Sequence, residues 1–276
     1  MNRKYPHGKY VFLTGGSSGV GLKTAQLFAE NGFIVYSASR NPNPEARPCP
    51  GGGEIRPVRM DVRDASSVEN AARAVLSEAD IGIVVHSAGI GIACPAEEYP
   101  HKAVASLMDT NYNGVLLVNS HFLPHLRRRG GGLCLIVGSV AGIFPIPFQS
   151  HYCSSKAALG SYAAALRMEL RPHRVNVSLV LPGDTNTGFT AARTYEIEEA
   201  SPYYEICKKA VGKIEKDELK GRAPDSAAAA MLRLGRKRNP PLRKIIGFEY
   251  KLLAFISRFL PDRLIEKILR SMYMEG

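Results

Sequence analysis

Tyr152 and Lys156 stand four residues apart in HYCSSKAALGSYAAALRMEL, residues 151–170. In a helix, residues i and i+4 share a face, so a phenol and an ammonium so spaced lie one turn from each other. Such a pair can perform acid/base chemistry. A free tyrosine has a pKa near ~10, and bringing it to neutrality takes about 4 kcal/mol. One ammonium at ~4 Å in an effective dielectric of ~20 supplies about 4 kcal/mol. A plainer reading is equally open: a helix N-terminus built of the small residues Cys153, Ser154 and Ser155, with one amphipathic pair. Tyr-x-x-x-Lys arises by chance in unrelated helices, so the rest of the chain must decide.

A second chemical feature is TGGSSGVG, Thr14–Gly21, which follows an apolar run and opens a helical segment. Backbone N–H groups approach a phosphate only where no Cβ intervenes. Gly15, Gly19 and Gly21 remove those carbons, and a helix N-terminus adds positive potential. The spacing is G-x-x-x-G-x-G and not G-x-G-x-x-G.

The elements that would position these residues are legible as alternation. Short apolar runs at 9–14, 33–38, 55–60, 81–87, 133–139 and 175–182 are separated by segments of helical period, roughly 18–31, 66–79, 101–128, 152–171 and 224–236. Runs apolar on successive residues are those of strands covered on both faces. The pattern predicts βαβ units in an α/β, doubly wound parallel sheet with helices on both faces, in one domain over 1–276. NPNPEARPCPGGG, residues 41–53, reads as a loop.

Placed on those elements, several motifs occur together in one order, and over Lys9–Thr187 the sequence resembles the short-chain dehydrogenase/reductase family. Thr14–Gly21, with Ser17, Ser18 and Val20 inside it, looks like that family's cofactor loop. Asp61 in MDV, followed by Val62, looks like its adenine-side acid. HSAG, residues 86–89, resembles its Asn-Asn-Ala-Gly element, with Ser87, Ala88 and Gly89 as the cofactor contacts. Asn111, Ser139, Tyr152 and Lys156 match its catalytic four in order, and PGDTNT, residues 182–187, resembles its Pro-Gly…Thr segment. The resemblance implies that Tyr152 is the acid/base and that Ser139 holds the substrate oxygen against it. It further implies that Asn111 keeps a water-linked proton path to Lys156, and that Lys156 grips the nicotinamide ribose. Pro182, Gly183, Thr185 and Thr187 would receive the carboxamide. His86 and Ser87 depart from the usual Asn pair. The resemblance also implies a homodimer or homotetramer, with Ala157, Ala158, Gly160, Ala163 and Ala164 suiting close helix contact.

The second run ends in YSASR, which offers Ser39 and Arg40 where an NAD site usually carries an acid. A guanidinium there pairs with a 2′-phosphate, so NADP(H) is expected over NAD(H), although Ser18 replaces the basic residue often found in the glycine loop. The segment 184–221 reads as a substrate lid. Phe189, Tyr195, Tyr203 and Tyr204, with Phe144, Ile146 and Phe148, would line an apolar pocket for a bulky hydrophobic alcohol or ketone of hydroxysteroid type; a retinoid or lipid ketone is the alternative. A catalytically idle nucleotide-binding regulator is the rival from another class, and the complete set Asn111, Ser139, Tyr152, Lys156 argues against it.

Residues 242–276 read as an amphipathic extension: an apolar stripe with Lys251, Arg258, Arg263, Lys267 and Arg270 beside it, interrupted by Pro261. Such a stripe covers the cleft, packs on a partner subunit or lies on an anionic membrane. The chain of 276 residues carries a formal charge of +11, but its cations do not interleave with aromatics, so nucleic acid is not an expected partner. Five scattered cysteines without a C-x-x-C pair suggest a reduced, cytoplasmic protein. No apolar stretch reaches the ~20 residues of a membrane span. His121 and His125, four apart, lack a third ligand and are not read as a metal site.

Overall fold

The computed structural model describes residues 5–42, 47–195 and 197–275. Its elements follow in the order β1 (Tyr10–Thr14), α1 (Gly19–Glu30), β2 (Ile34–Ser39), β3 (Arg47–Pro48), β4 (Glu54–Arg59), α2 (Ala65–Glu78), β5 (Ile83–His86) and β6 (Ile92–Ala93). Next come α3 (His101–Met108), a π-helical turn (Asp109–Asn113), α4 (Gly114–Arg128), β7 (Gly132–Val137), α5 (Ser150–Leu170) and β8 (Val175–Leu181). The chain closes with β9 (Thr194–Tyr195), α6 (Tyr204–Leu219), α7 (Asp225–Gly235), β10 (Arg243–Ile245), α8 (Phe248–Ile256) and α9 (Asp262–Arg270).

Eight strands form one sheet in the order β10-β8-β7-β5-β1-β2-β4-β3, and β6 pairs with β9 separately. All neighbours in the large sheet are parallel except β3 on β4. After β1 the chain winds outward through β2 and β4, then returns past β1 to β5 and continues in the opposite direction. The carboxyl ends of β1 and β5 therefore diverge into the crevice where ligands of such sheets bind.

Apolar side chains fill both faces. On one, Phe12 stacks on Phe122 at 4.2 Å, with Leu126, Leu159 and Leu166 around them. On the other, Phe28 and Phe33 pack with Met231 and Leu234, so α1 and α7 cover the opposite side. At roughly 1.5–3 kcal/mol for each large side chain taken from water, these two layers hold the sheet.

The structure departs from the expected pattern in three places. The loop read over 41–53 contains β3, which pairs antiparallel with β4; residues 43–46 of it lie outside the described residues. The helix expected over 101–128 is broken by the π turn Asp109–Asn113, in which Asn111 sits. The extension read from residue 242 begins with a strand of the sheet, because Arg243–Ile245 pairs with Leu179–Leu181. Of that extension, α8, α9 and the last turn lie outside the sheet's two layers.

Phe122→Ala should lower unfolding free energy by about 3–5 kcal/mol in a urea titration, since it removes one half of a fully buried stack and leaves a cavity. A loss under about 1 kcal/mol would show that this layer is not where the fold's stability resides.

Candidate active site

The crevice at the β1/β5 switch point is a cavity of about 450 Å³. Its cofactor end is lined by Gly15, Ser17, Ser18, Gly19, Val20 and Gly21 from the first turn, by Ser39 and Arg40 after β2, and by Asp61 and Val62 after β4. Ser87, Ala88 and Gly89 after β5 and Pro182, Gly183, Thr185 and Thr187 after β8 complete that wall. All of the positions singled out as cofactor contacts thus face one cavity, together with Tyr152 and Lys156.

The residues fit a nicotinamide dinucleotide on local grounds. A Cβ on Gly15 would fall 2.6 Å from the Ala88 nitrogen, and Gly15 adopts φ +74°, which only glycine takes without strain. A Cβ on Gly21 would fall 2.1 Å from the Gly15 oxygen. The turn can therefore pack this tightly only with glycine at both positions. Ser18 opens α1 without a side-chain cap, whereas Asp64 caps α2 through the Ser67 N–H. The first N–H groups of α1 are consequently left for an anion.

At the chemical end, Ser139 follows β7 and Tyr152 and Lys156 lie in the first two turns of α5. The Ser139 hydroxyl accepts from the Ala141 N–H at 3.1 Å and lies close enough to the Tyr152 hydroxyl to favour its ionised form. Lys156 is buried, 6% exposed, and its Nζ donates to the Val137 carbonyl at 3.2 Å. Burial lowers the Lys156 pKa to about 8. Nζ stands 5.7 Å from the Tyr152 ring centre.

In the free protein Lys156 does not bring the Tyr152 phenol toward neutrality. Its phenol is pushed up, not down: burial is the largest cause, and Ser139 offsets only part of it. Removing the phenolate from water costs more than the Ser139 hydroxyl returns, and a single ammonium nearby does not offset that desolvation.

Asn111 is fully buried behind the cavity wall and does not line it. Its Oδ1 accepts from the Ile90 N–H at 2.8 Å, and its Nδ2 donates to the Ile90 carbonyl and to Ser155 Oγ. The side chain thus clamps the loop after β5 to α5. His86, at the end of β5, also points away from the cavity. Its Nε2 meets Asn119 Oδ1 at 2.9 Å, Asn119 Nδ2 donates to Tyr162, and burial lowers the imidazole's pKa to about 4. The departure at residue 86 is therefore absorbed by the core, while Ser87 faces the cavity. His125 is likewise engaged by the Ile81 carbonyl.

Arg63 was not singled out from sequence, yet it lines the cavity beside Arg40. It pairs with both Asp61 oxygens, and together with Arg40 it holds that carboxyl below the usual range. Two places after Asp61 in MDVRD, it differs from an ordinary surface arginine only through this geometry.

The substrate end differs from the aromatic pocket expected. Phe189 and Ile146 do line it, with Phe189 5.7 Å from the Tyr152 ring. Tyr195 is instead 40% exposed, Tyr203 packs on Phe148, and Tyr204 lies under Lys208. Ala192, Ile214, Asp217, Glu218 and Tyr273 supply the remaining wall. Glu218 is tied to Thr190 and to the buried Arg193. The wall therefore mixes apolar side chains with two carboxylates, Glu218 held by Arg193 and Asp217 by Lys213.

Comparisons with known proteins agree with this geometry. The chain is 33% identical over 267 residues to 3-ketodihydrosphingosine reductase of Bacteroides thetaiotaomicron, covering 95% of this chain and 97% of that protein. It is 37% identical over 190 residues to 17-beta-hydroxysteroid dehydrogenase type 1 of Homo sapiens, covering 65% of this chain and 57% of that one. A short-chain dehydrogenase from Streptomyces avermitilis shares the fold with a TM-score of 0.79 at 23% identity, over 96% of both chains. Residues 9–198 match the short chain dehydrogenase family. With its glycine turn, its β1/β5 crevice and Tyr152 and Lys156 facing the same cavity, the chain belongs to that family of nicotinamide-dependent oxidoreductases.

Proposed function

We propose that the protein reduces the ketone of a long-chain lipid, of the 3-ketosphingoid type, with NADPH. The observation that carries this reading is the mixed substrate wall next to Tyr152, where Ile146, Phe189, Ala192 and Ile214 line the cavity together with the carboxylates of Asp217 and Glu218. An alkyl chain with a polar amino-alcohol head suits such a wall better than a rigid, mostly apolar steroid skeleton does. The likeness to a ketodihydrosphingosine reductase spans both chains almost completely, whereas the likeness to the steroid enzyme covers 57% of that protein.

In this account Ser139 holds the carbonyl oxygen and Tyr152 hands it a proton. The cofactor supplies the hydride. A phenol kept neutral by burial is already the acid that reduction needs. Lys156, charged below a pKa of about 8, stabilises the phenolate that remains and anchors the ribose. Asn111 acts through the loop it clamps. The segment 184–221 serves as a lid, contributing Thr187, Phe189, Ile214 and Glu218 to the cavity.

Arg40 and Arg63 support NADP(H). Arg63 neutralises Asp61, so the region where a 2′-phosphate would sit presents guanidinium groups and no free carboxylate. The outward face of α5, where Ala157, Ser161, Ala165 and Met168 are exposed, is suited to pairing with a second copy in a homodimer or homotetramer.

Purified protein given NADPH with 3-ketodihydrosphingosine, estrone or small ketones, and followed by loss of reduced-nicotinamide absorbance, should turn over the long-chain keto lipid with the highest kcat/KM. Tyr152→Phe should reduce that value by about 10²–10⁴-fold. Faster reduction of estrone, or full activity in the variant, would overturn the reading. Arg40→Asp should raise KM for NADPH by about 10–100-fold, the equivalent of losing a hydrogen bond to a charged group and adding repulsion, and leave KM for NADH nearly unchanged. Unchanged constants for both cofactors would show that Arg40 does not read the 2′-phosphate.

A further inference from the structure

Helices α8 and α9 bury none of their residues. Phe248 and Phe259 are each 74% exposed, Phe255 packs edge-on against Phe259, and Leu252, Leu264 and Met272 are open beside them. Single exposed apolar residues are ordinary, but a run of them over two successive helices is a contact surface.

Unneutralised charge borders this surface. From Arg233 to Lys251 the sequence holds seven cations and one acid, Glu249, which Arg222 occupies. Arg233, Lys237 and Lys251 crowd Lys244 closely enough to help lower its pKa after burial. Among the described residues none of these four is in an ion pair.

The same arm forms part of the cavity. Tyr250, on the inner side of α8, lies against Gly183, where a Cβ would fall 2.0 Å from its ring, and its hydroxyl meets Asp184. Tyr273, in the turn after α9, lines the catalytic cavity.

From this arrangement we propose that α8, α9 and the cation cluster around Lys244 dock on an anionic phospholipid surface, with the mouth of the cavity against the bilayer. A two-fold contact between copies would bring two such cation clusters into one interface, where like charges repel. An anionic bilayer instead neutralises the cations and takes up the apolar side chains. The orientation of the mouth rests on the lipid-ketone reading above; the docking itself does not.

The test is co-sedimentation of the full chain with vesicles of phosphatidylcholine alone or mixed with phosphatidylglycerol. The protein should pellet with the mixed vesicles and remain in solution with the neutral ones, and about 0.5 M salt should weaken binding. Lys237→Gln/Lys244→Gln/Lys251→Gln should weaken partitioning by about a hundredfold, at a factor of about five for each cation. Phe255→Ser/Phe259→Ser should also release the protein. Both variants should keep turnover of a water-soluble short-chain ketone, which separates loss of docking from failure of the substrate reading. No binding to mixed vesicles by the unaltered chain would overturn the proposal, as would equal binding to both kinds. A dimer in light scattering that Phe255→Ser/Phe259→Ser dissociates would assign the face to a second copy.

Discussion

Lys156 places an ammonium inside the protein at the carboxyl end of a parallel sheet, and much of the site is arranged around that constraint. A buried cation is tolerated only if its donors are met, and here the Val137 carbonyl at the end of β7 meets one of them. That contact requires β7 and α5 to be fixed relative to each other. Ser139 and its turn follow β7 directly, while the Asn111 clamp ties α5 to the loop after β5. Burial then acts on two groups in opposite senses: it lowers the pKa of Lys156 and raises that of Tyr152. Both shifts favour the neutral form, so the resting site holds a protonated phenol beside an amine that loses its proton more readily than lysine usually does.

The architecture was legible because its signals are local. Six apolar runs marked six of the seven parallel strands, and the glycine turn marked the first crossover. What local reasoning missed depends on distant partners. Arg243–Ile245 is too short to announce itself as a strand and becomes one by pairing with β8. His86 reads as an altered cofactor contact until Asn119 and Tyr162 are seen to receive it. Arg63 carries no local signal in the sequence, because its relation to Asp61 and Arg40 is spatial. The aromatic count in 184–221 misled since hydrophobicity does not state direction: Phe189 turns toward Tyr152, whereas Tyr195 and Tyr203 turn elsewhere. The expected fall in the Tyr152 pKa came from one Coulomb pair, and only the surrounding burial reverses it.

Substrate selection lies in the parts least determined by the family pattern. The cofactor end is built on strand ends and tight turns, with glycines that admit no alternative. The opposite wall is assembled from α6, the turn around Phe189 and the last turn of the chain, none of which contributes a strand to the main sheet. Tyr273 joins these regions, since it belongs to the C-terminal arm and also to the cavity. Under the lipid-ketone proposal an apolar substrate passes from the surroundings to the phenol, and Tyr273 sets the C-terminal arm beside that passage.

The central claim is that burial, and not the neighbouring ammonium, sets the proton affinity of Tyr152 in the free protein. The most direct measurement is a pH titration of the Tyr152 ring by NMR, using ring-labelled tyrosine and the Tyr152→Phe protein to assign its signal. The phenol should stay protonated beyond about pH 10, the ordinary tyrosine value. A Tyr152 signal that titrates near neutrality in the free protein would contradict it, and would return the control of the site to Lys156.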